Sequence, residues 1–317
     1  MIEPVMGSGV VNIQDLIDDA NCYRKVRELR WPEGVRCPFC GDERLLKQGF
    51  DSTQKQRQRY QCKSRRRYFD DLTGTIFEGH HQPLRVWILC LYFMGSNLSN
   101  SQIARKLDLN KDDVQAMALQ LREGSVEHKP AARLEGIVEC DEVYIVAGHK
   151  GQPSGVKKRR KGRRNRLKGD RGRGTLAKEK PPIFGMIQRG GQVVIRILVD
   201  VRQTTIQPLI EATIRPGTLV LTDEYTIYKR LPEWGFEHQT VCHNAGEYAR
   251  DEDGDGFHEI HVNTMEGFWS LLRSWLRPHR GISQEHLPLY LGFFEFVHNA
   301  KNRGIGLMDS LPGLLLR

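Results

Sequence analysis

Two apolar, β-rich runs carry an acid where a core residue would be expected, and no other feature constrains the chain as much. Asp141 lies inside the run 136–146, and Asp223 closes the short apolar strand predicted at 218–222. A carboxylate on or at the end of a strand is costly to bury unless it is paired or binds a cation. Open α/β sheets also form their sites beyond the carboxyl ends of strands. A third acid, Glu266, follows 43 residues after Asp223 on a predicted helix. Phosphodiester cleavage by two metal ions uses such a set, with carboxylates bridging hard cations about 4 Å apart so that one ion activates the attacking oxygen and the other steadies the leaving one. Magnesium suits oxygen ligands and keeps several waters, so three acids suffice. Each acid also has a structural alternative. Asp223, before Glu224 and Tyr225, can cap the next helix, and a helical Glu such as Glu266 is commonly a solvated surface residue.

The surrounding pattern is α/β from Pro130 onward. Strands are expected at 136–146, 183–188, 193–199 and 218–222, and helices at 206–214, 263–275 and 286–298. A Gly- and Arg-rich insert, 148–182, lacks apolar periodicity and reads as a segment that orders only on meeting DNA. Before Pro130 the pattern differs. Apolar spacing predicts a helix over 12–31 that stops at Pro32, then a knuckle at Cys37-Pro38-Phe39-Cys40-Gly41 and short strands near 59–62 and 68–69, with polar turns between them. Helices follow at 84–95, 99–107 and 110–122, the last two opened by Ser99 with Gln102 and by Asn110 with Asp113. Two short capped helices fit a helix-turn-helix whose second helix, 111–122, would enter the major groove; a small trihelical bundle has the same pattern. The expected organisation is 1–81, an N-terminal helix and zinc-ribbon-like domain; 82–129, a helix-turn-helix DNA-binding region; and 130–317, the α/β domain with its basic insert.

Charge points to a polyanion. The 48 Lys and Arg outnumber the 39 Asp and Glu by 9, and the surplus is concentrated in 24–68 and 157–173. The second block includes Lys157, Lys158, Arg159, Arg160, Lys161, Arg163 and Arg164. Basic side chains that neutralise phosphates release counterions and supply most non-specific nucleic-acid affinity, although such runs are also found merely solvated. The first residues carry acids and no apolar core, so no signal peptide is expected. The most apolar stretch, 86–94, is about half of the ~20 residues a membrane helix needs. A soluble, cytoplasmic protein is expected. Of the seven cysteines only Cys37, Cys40 and Cys62 cluster, which suggests a metal site in a reducing compartment rather than a disulfide framework.

The chain resembles bacterial zinc-ribbon DDE insertion-sequence transposases of the ISXO group over about 12–303. The resemblance is carried by Arg30-Trp31-Pro32-Glu33-Gly34 before the cysteine knuckle, Thr73-Gly74-Thr75, Asp141-Glu142-Val143-Tyr144, Phe184-Gly185-Met186, Thr222-Asp223-Glu224, and above all His261-Val262-Asn263-Thr264-Met265-Glu266-Gly267-Phe268-Trp269-Ser270. It implies a ribonuclease-H-like mixed sheet with flanking helices, in which Asp141, Asp223 and Glu266 bind two magnesium (or manganese) ions. It also implies cleavage of double-stranded DNA at transposon ends, transfer of the freed 3′-hydroxyl to target DNA, and a homodimer or higher assembly on the DNA. Asn263 lies three residues before Glu266, on the same helical face, and is the alternative third ligand. Where such proteins place Lys, seven residues past Glu266, this chain has Arg273, which would make a planar bidentate phosphate contact.

One departure concerns zinc. The second knuckle reads Cys62-Lys63-Ser64-Arg65, with Arg65 where a fourth cysteine belongs, although structural zinc almost always has four protein ligands. His80 or His81 could complete the set, or the ribbon could fold by packing alone. The acidic stretch 251–256 imitates a calcium loop, but its twelfth position is Val262 rather than the required Glu, so a solvated loop is expected. His128, His238 and His279 are expected at the surface or in packing, and Cys90, Cys140 and Cys242 as small core residues. His243 and His261 flank the motif region and could reach a phosphate. A catalytically inactive DNA-binding protein derived from a transposase is the competing function. An RNA- or branched-DNA-cutting relative of ribonuclease H would need neither ribbon nor helix-turn-helix.

Overall fold

Asp18 starts the first helix by accepting a hydrogen bond from the Asn21 backbone N–H at 3.1 Å, and α1, Asp19–Arg30, ends at Trp31, before Pro32. The structure, a computed structural model, describes residues 18–150, 174–176, 179–242, 249–251, 254, 256 and 258–302. The chain divides into two units that meet in sequence at Lys129 and Pro130.

In the first unit, β1 (Leu45–Phe50), β2 (Gln58–Cys62) and β3 (Tyr68–Asp70) form an antiparallel sheet in chain order. The residues of β1, expected as polar turns, form an almost wholly exposed strand that pairs with β2. Its side chains carry no alternation because neither face is covered, which is why the pattern is missing from the sequence. Tyr60 and Phe69 stack at 5.1 Å with Trp31 edge-on to both, giving the ribbon a small core beside Cys37 and Cys62. Asp71, fully buried, accepts from Arg27 Nε (3.0 Å), the Gln58 N–H (2.7 Å) and the Tyr60 hydroxyl (3.2 Å). Arg30 donates to the carbonyls of Asp71 and Thr73. These bonds fasten α1 to the Thr73-Gly74-Thr75 turn, where Gly74 takes the left-handed φ of +76°.

Helices α2 (Leu84–Gly95), α3 (Asn100–Leu107) and α4 (Lys111–Glu127) follow. Gln102 Oε1 accepts from the Ser99 N–H at 2.9 Å, and Asn110 accepts from the Asp112 N–H at 2.9 Å. Helix α4 runs five residues past its expected end; Gly124 lies against Ile76, where a Cβ would meet Cγ2 at 2.6 Å. Arg122, on the helix expected to enter the groove, is buried and donates to the Ala118 carbonyl.

The second unit holds a five-stranded sheet of β4 (Ile137–Tyr144), β5 (Pro182–Gln188), β6 (Val193–Ile197), β7 (Leu219–Asp223) and β8 (Glu237–Val241). The order is β6-β5-β4-β7-β8, antiparallel from β4 through β5 to β6 and parallel from β4 through β7 to β8. A hairpin-built antiparallel half joined to a parallel half at the first strand is the ribonuclease-H-like arrangement expected from the resemblance. Alternation along the strands sends Val138, Cys140, Phe184, Met186 and Val220 to one face, where they pack with Ile206 and Ile210 of α5 (Gln203–Thr213). Glu139, Asp141 and Gly185 consequently point to the other face, which receives α6 (Asn263–Leu276) after the two-stranded pair β9 (Ala249–Arg250) and β10 (Ile260–His261). Edge strand β6 is sealed by α7 (Leu287–Asn302). Asn299 accepts from the Val193 N–H and donates to the Val193 carbonyl, both at 2.8 Å, while buried Glu295 accepts from the Ile195 N–H at 3.1 Å. Side chains thereby occupy the ladder positions that an open edge would offer to another strand. No helix among the described residues is long and apolar enough to cross a membrane.

Candidate active site and thiol cluster

Asp141 lies mid-strand on β4, Asp223 at the carboxyl end of the neighbouring β7, and Glu266 in the first turn of α6. Burial pushes the Asp141 carboxyl up to about 6, and the negative charges of Asp223 and Glu266 push in the same direction, against the hydrogen bonds from the Glu142 backbone and from Trp269. The three acids therefore share one electrostatic neighbourhood. A divalent cation would relieve the strain that this all-oxygen donor set otherwise meets by holding a proton. Asp223 Oδ1 accepts from the Tyr225 N–H at 3.0 Å, turning the chain into the 3-10 turn Thr226–Tyr228. The capping alternative is thus partly realised, as a turn rather than as the start of an α-helix.

Gly185, paired with Asp141 across β4 and β5, lets α6 lie close on the sheet: a Cβ there would meet Met265 Cε at 2.0 Å and the Trp269 ring at 2.5 Å. In that space the Trp269 indole reaches across and its Nε1–H donates to Asp141 Oδ2 at 2.9 Å. Sequence reasoning missed a second link. Glu139, wholly buried two residues before Asp141, accepts from the Met265 backbone N–H through Oε2 (2.8 Å) and from Arg189 Nε through Oε1 (2.7 Å). Arg189 also donates to the Glu259 carbonyl (2.6 Å), the His261 carbonyl (3.0 Å) and His261 Nδ1 (2.9 Å). His261, weighed as a phosphate contact, is turned inward by these bonds. Nothing in the spacing of Glu139, Arg189 and Met265 along the chain announces the link.

Asn263 begins α6, exposed, and gives its N–H to His261 Nδ1 at 3.2 Å. Arg273 is exposed in the last turn of the same helix. Lys157, Lys158, Arg159, Arg160, Lys161, Arg163, Arg164 and His243 lie outside the described residues. The flanks of the basic insert are described, and both reach the turn after α6. Lys150 Nζ donates to the carbonyls of His279 (2.9 Å) and Gly281 (2.6 Å), and Gln284 Nε2 donates to the Leu176 carbonyl at 2.8 Å.

In the ribbon, the ligand atoms of Cys37, Cys40 and Cys62 lie within 4.8 Å of one another, the one such group of three His, Cys, Asp or Glu among the described residues. Three acids serving two ions about 4 Å apart need not be so tightly gathered. Neither His80 nor His81 joins the sulfurs; the His80 ring lies 4.2 Å from that of Trp87. The Arg65 backbone N–H points at Cys62 Sγ at 3.4 Å and holds that thiol below its usual range. The second knuckle thus keeps its turn although its last side chain is not a ligand. Ser64 and Arg44 both bond to Asp42, tying the knuckles together through polar groups.

The strand order, with one acid on the central strand, one ending its parallel neighbour and one on the helix laid against them, defines a ribonuclease-H-like domain of the DDE type. Comparison with known proteins agrees: the ISXO2-like transposase domain matches residues 133–299 and the transposase zinc-ribbon domain matches residues 17–66. A protein in transposable element ISH50 of Halobacterium salinarum is 34% identical over 290 residues, 89% of this chain and 92% of that protein. A transposase-like protein of Haemophilus influenzae is 26% identical over 103 residues, 32% of this chain and 77% of its own length. The chain belongs to the ISXO2-like transposase family. A solved pre-cleavage Mos1 transpososome aligns at 12% identity and a TM-score of 0.21, covering 74% of this chain and 82% of that one; the fold assignment rests on the strand order and not on this likeness.

Proposed function

We propose that this transposase cuts double-stranded DNA at the ends of its element and joins the freed 3′-hydroxyl to target DNA, with Asp141, Asp223 and Glu266 holding two magnesium or manganese ions. The observation that carries the reading is the Asp141 carboxyl, raised first by burial and further by the charges of Asp223 and Glu266. When bound, such ions activate the attacking oxygen and steady the leaving one. The protein orients its donors from rigid elements: two acids stand on adjacent strands, the third on a helix pinned to the sheet, and the Trp269 N–H fixes the Asp141 carboxylate. Asn263, one helical turn before Glu266, is the alternative third ligand. Arg273 lies two turns beyond Glu266, about 10 Å along the axis, where its guanidinium can grip a backbone phosphate bidentately.

The basic insert residues Lys157, Lys158, Arg159, Arg160, Lys161, Arg163 and Arg164 would hold flanking or target DNA, and the described flanks of the insert bond to the turn that follows α6, the helix of Glu266 and Arg273. The ribbon with zinc on Cys37, Cys40 and Cys62, and the helical region 82–129, would recognise the element's ends. Joining two ends in one reaction calls for at least a homodimer. The test is nicking of DNA carrying the element's terminal repeats. Nicking that requires Mg2+ or Mn2+ and is lost by a factor of at least about 10^3 in Asp141→Asn is expected. DNA that is bound but uncut with either ion would instead identify a DNA-binding remnant of a transposase.

A further inference from the structure

We infer that Glu139, Arg189 and His261 are positioning residues: together they fix the first turn of α6, and so Glu266, in register with Asp141. The first N–H groups of a helix have no partner within it, and the helix dipole favours a negative charge beside them. Glu139 supplies that charge at Met265, the residue before Glu266. Arg189 holds Glu139 by one arm and spends the others on the carbonyls of Glu259 and His261, either side of Ile260 on the approach to α6. His261 Nδ1 completes the cluster, 2.9 Å from Arg189 Nη2, 3.3 Å from Glu139 Oε1 and 3.2 Å from the Asn263 backbone nitrogen. Glu259, His261, Asn263 and Met265 are thereby each held at a backbone atom.

The spacing of the pins supports the role. Glu139 and Asp141 are two residues apart on β4, about 6.6 Å, and their partners Met265 and Trp269 are four apart on α6, about 6 Å. The matched intervals let the helix lie along the strand with each acid meeting its own donor. Gly185 supplies the close approach this needs. Stability alone does not call for such a cluster, since a buried ion pair replaced by well-packed apolar groups is often neutral or better. Its use here is geometric, as with the outer partners of metal ligands, whose loss typically costs about 10- to 100-fold in affinity or activity.

The inference rests on the proposed assignment of the three acids to divalent ions, and Mn2+ binding to the full chain separates the two. The Mn2+ affinity lost in Asp141→Asn defines the site. The double variant Glu139→Leu/Arg189→Met removes the buried charges together. It is expected to keep the wild-type circular dichroism spectrum and DNA affinity, to bind Mn2+ at least about tenfold more weakly, and to lose nicking in kcat rather than in KM for DNA. Arg189→Lys keeps a charge for Glu139 but not the planar fork, and the same weakening is expected if the double variant does not fold. Wild-type Mn2+ affinity in either folded variant would overturn the positioning role. Wild-type Mn2+ affinity in Asp141→Asn would overturn the acid assignment and this inference with it.

Discussion

At Asp141, burial and the charges of Asp223 and Glu266 raise the carboxyl to about 6, and that fixes the sign of a pH effect. The folded chain then keeps a proton at a pH where the unfolded chain has released it, so this residue stabilises the metal-free fold as pH falls through about 6 toward 4 and destabilises it at higher pH. Asp141→Asn removes the charge while leaving an oxygen for Trp269 Nε1. Without metal it should be more stable than wild type at pH 7.5, on the order of 2 kcal/mol, with the difference closing near pH 4. Saturating Mn2+ should reverse the order at pH 7.5, because only the wild type gains binding energy. Urea unfolding with and without the ion measures both, and a stability difference that does not change with pH would refute the account. Asp141 and Asp223 stood out in the sequence, because a carboxylate in or closing an apolar strand is conspicuous, whereas Glu266, on a helix, was singled out by the resemblance. Glu139 was visible in neither way, although it stands two residues from Asp141. Its partners Arg189 and Met265 are 50 and 126 residues off along the chain, and its meaning exists only once α6 lies on the sheet. Gly185 was visible only as part of a familiar tripeptide; its reason, room for Met265 and Trp269, is tertiary.

Elements were legible in proportion to their own periodicity. Helices α2, α3, α6 and α7 fall close to where apolar spacing puts them, and the β5–β6 hairpin sits across Arg189-Gly190-Gly191 as expected. Strand β8, Glu-His-Gln-Thr-Val, has no apolar run to reveal it and forms on the parallel edge that β7 presents. The ribbon shows the same limit in its chemistry. The sequence gives three thiols and an Arg65, while only the structure shows the Arg65 N–H on Cys62 Sγ and the absence of His80 and His81 from the sulfurs. A site of three thiolates leaves the fourth zinc position to solvent, which should make the ion exchangeable. Zinc bound to the full chain is expected to be lost in Cys37→Ser. In Arg65→Cys, where the backbone turn is already made, it should leave for a chelator at least about tenfold more slowly. Equal zinc content in Cys37→Ser and wild type would remove the site.

Across the whole molecule the two basic blocks fall in different units: 24–68 in the first, 157–173 in the second. Each unit therefore carries its own excess of positive charge, and if both meet DNA the two contributions can be separated by salt. Every phosphate neutralised by a basic side chain releases counterions and adds about −0.9 to the slope of log affinity against log salt on duplex DNA. Replacing Lys157, Lys158, Arg159, Arg160, Lys161, Arg163 and Arg164 with Gln can thus lower the slope by up to about 6, if each charge meets a phosphate. A smaller fall counts the contacts actually made. Binding to short duplexes between 50 and 200 mM salt, roughly the range over which such contacts change affinity by orders of magnitude, measures it. The slope that survives the substitution would belong to the ribbon unit and to Arg273. An unaltered slope would mean that the insert touches no DNA and that the ribbon unit and Arg273 account for all of the salt-sensitive affinity.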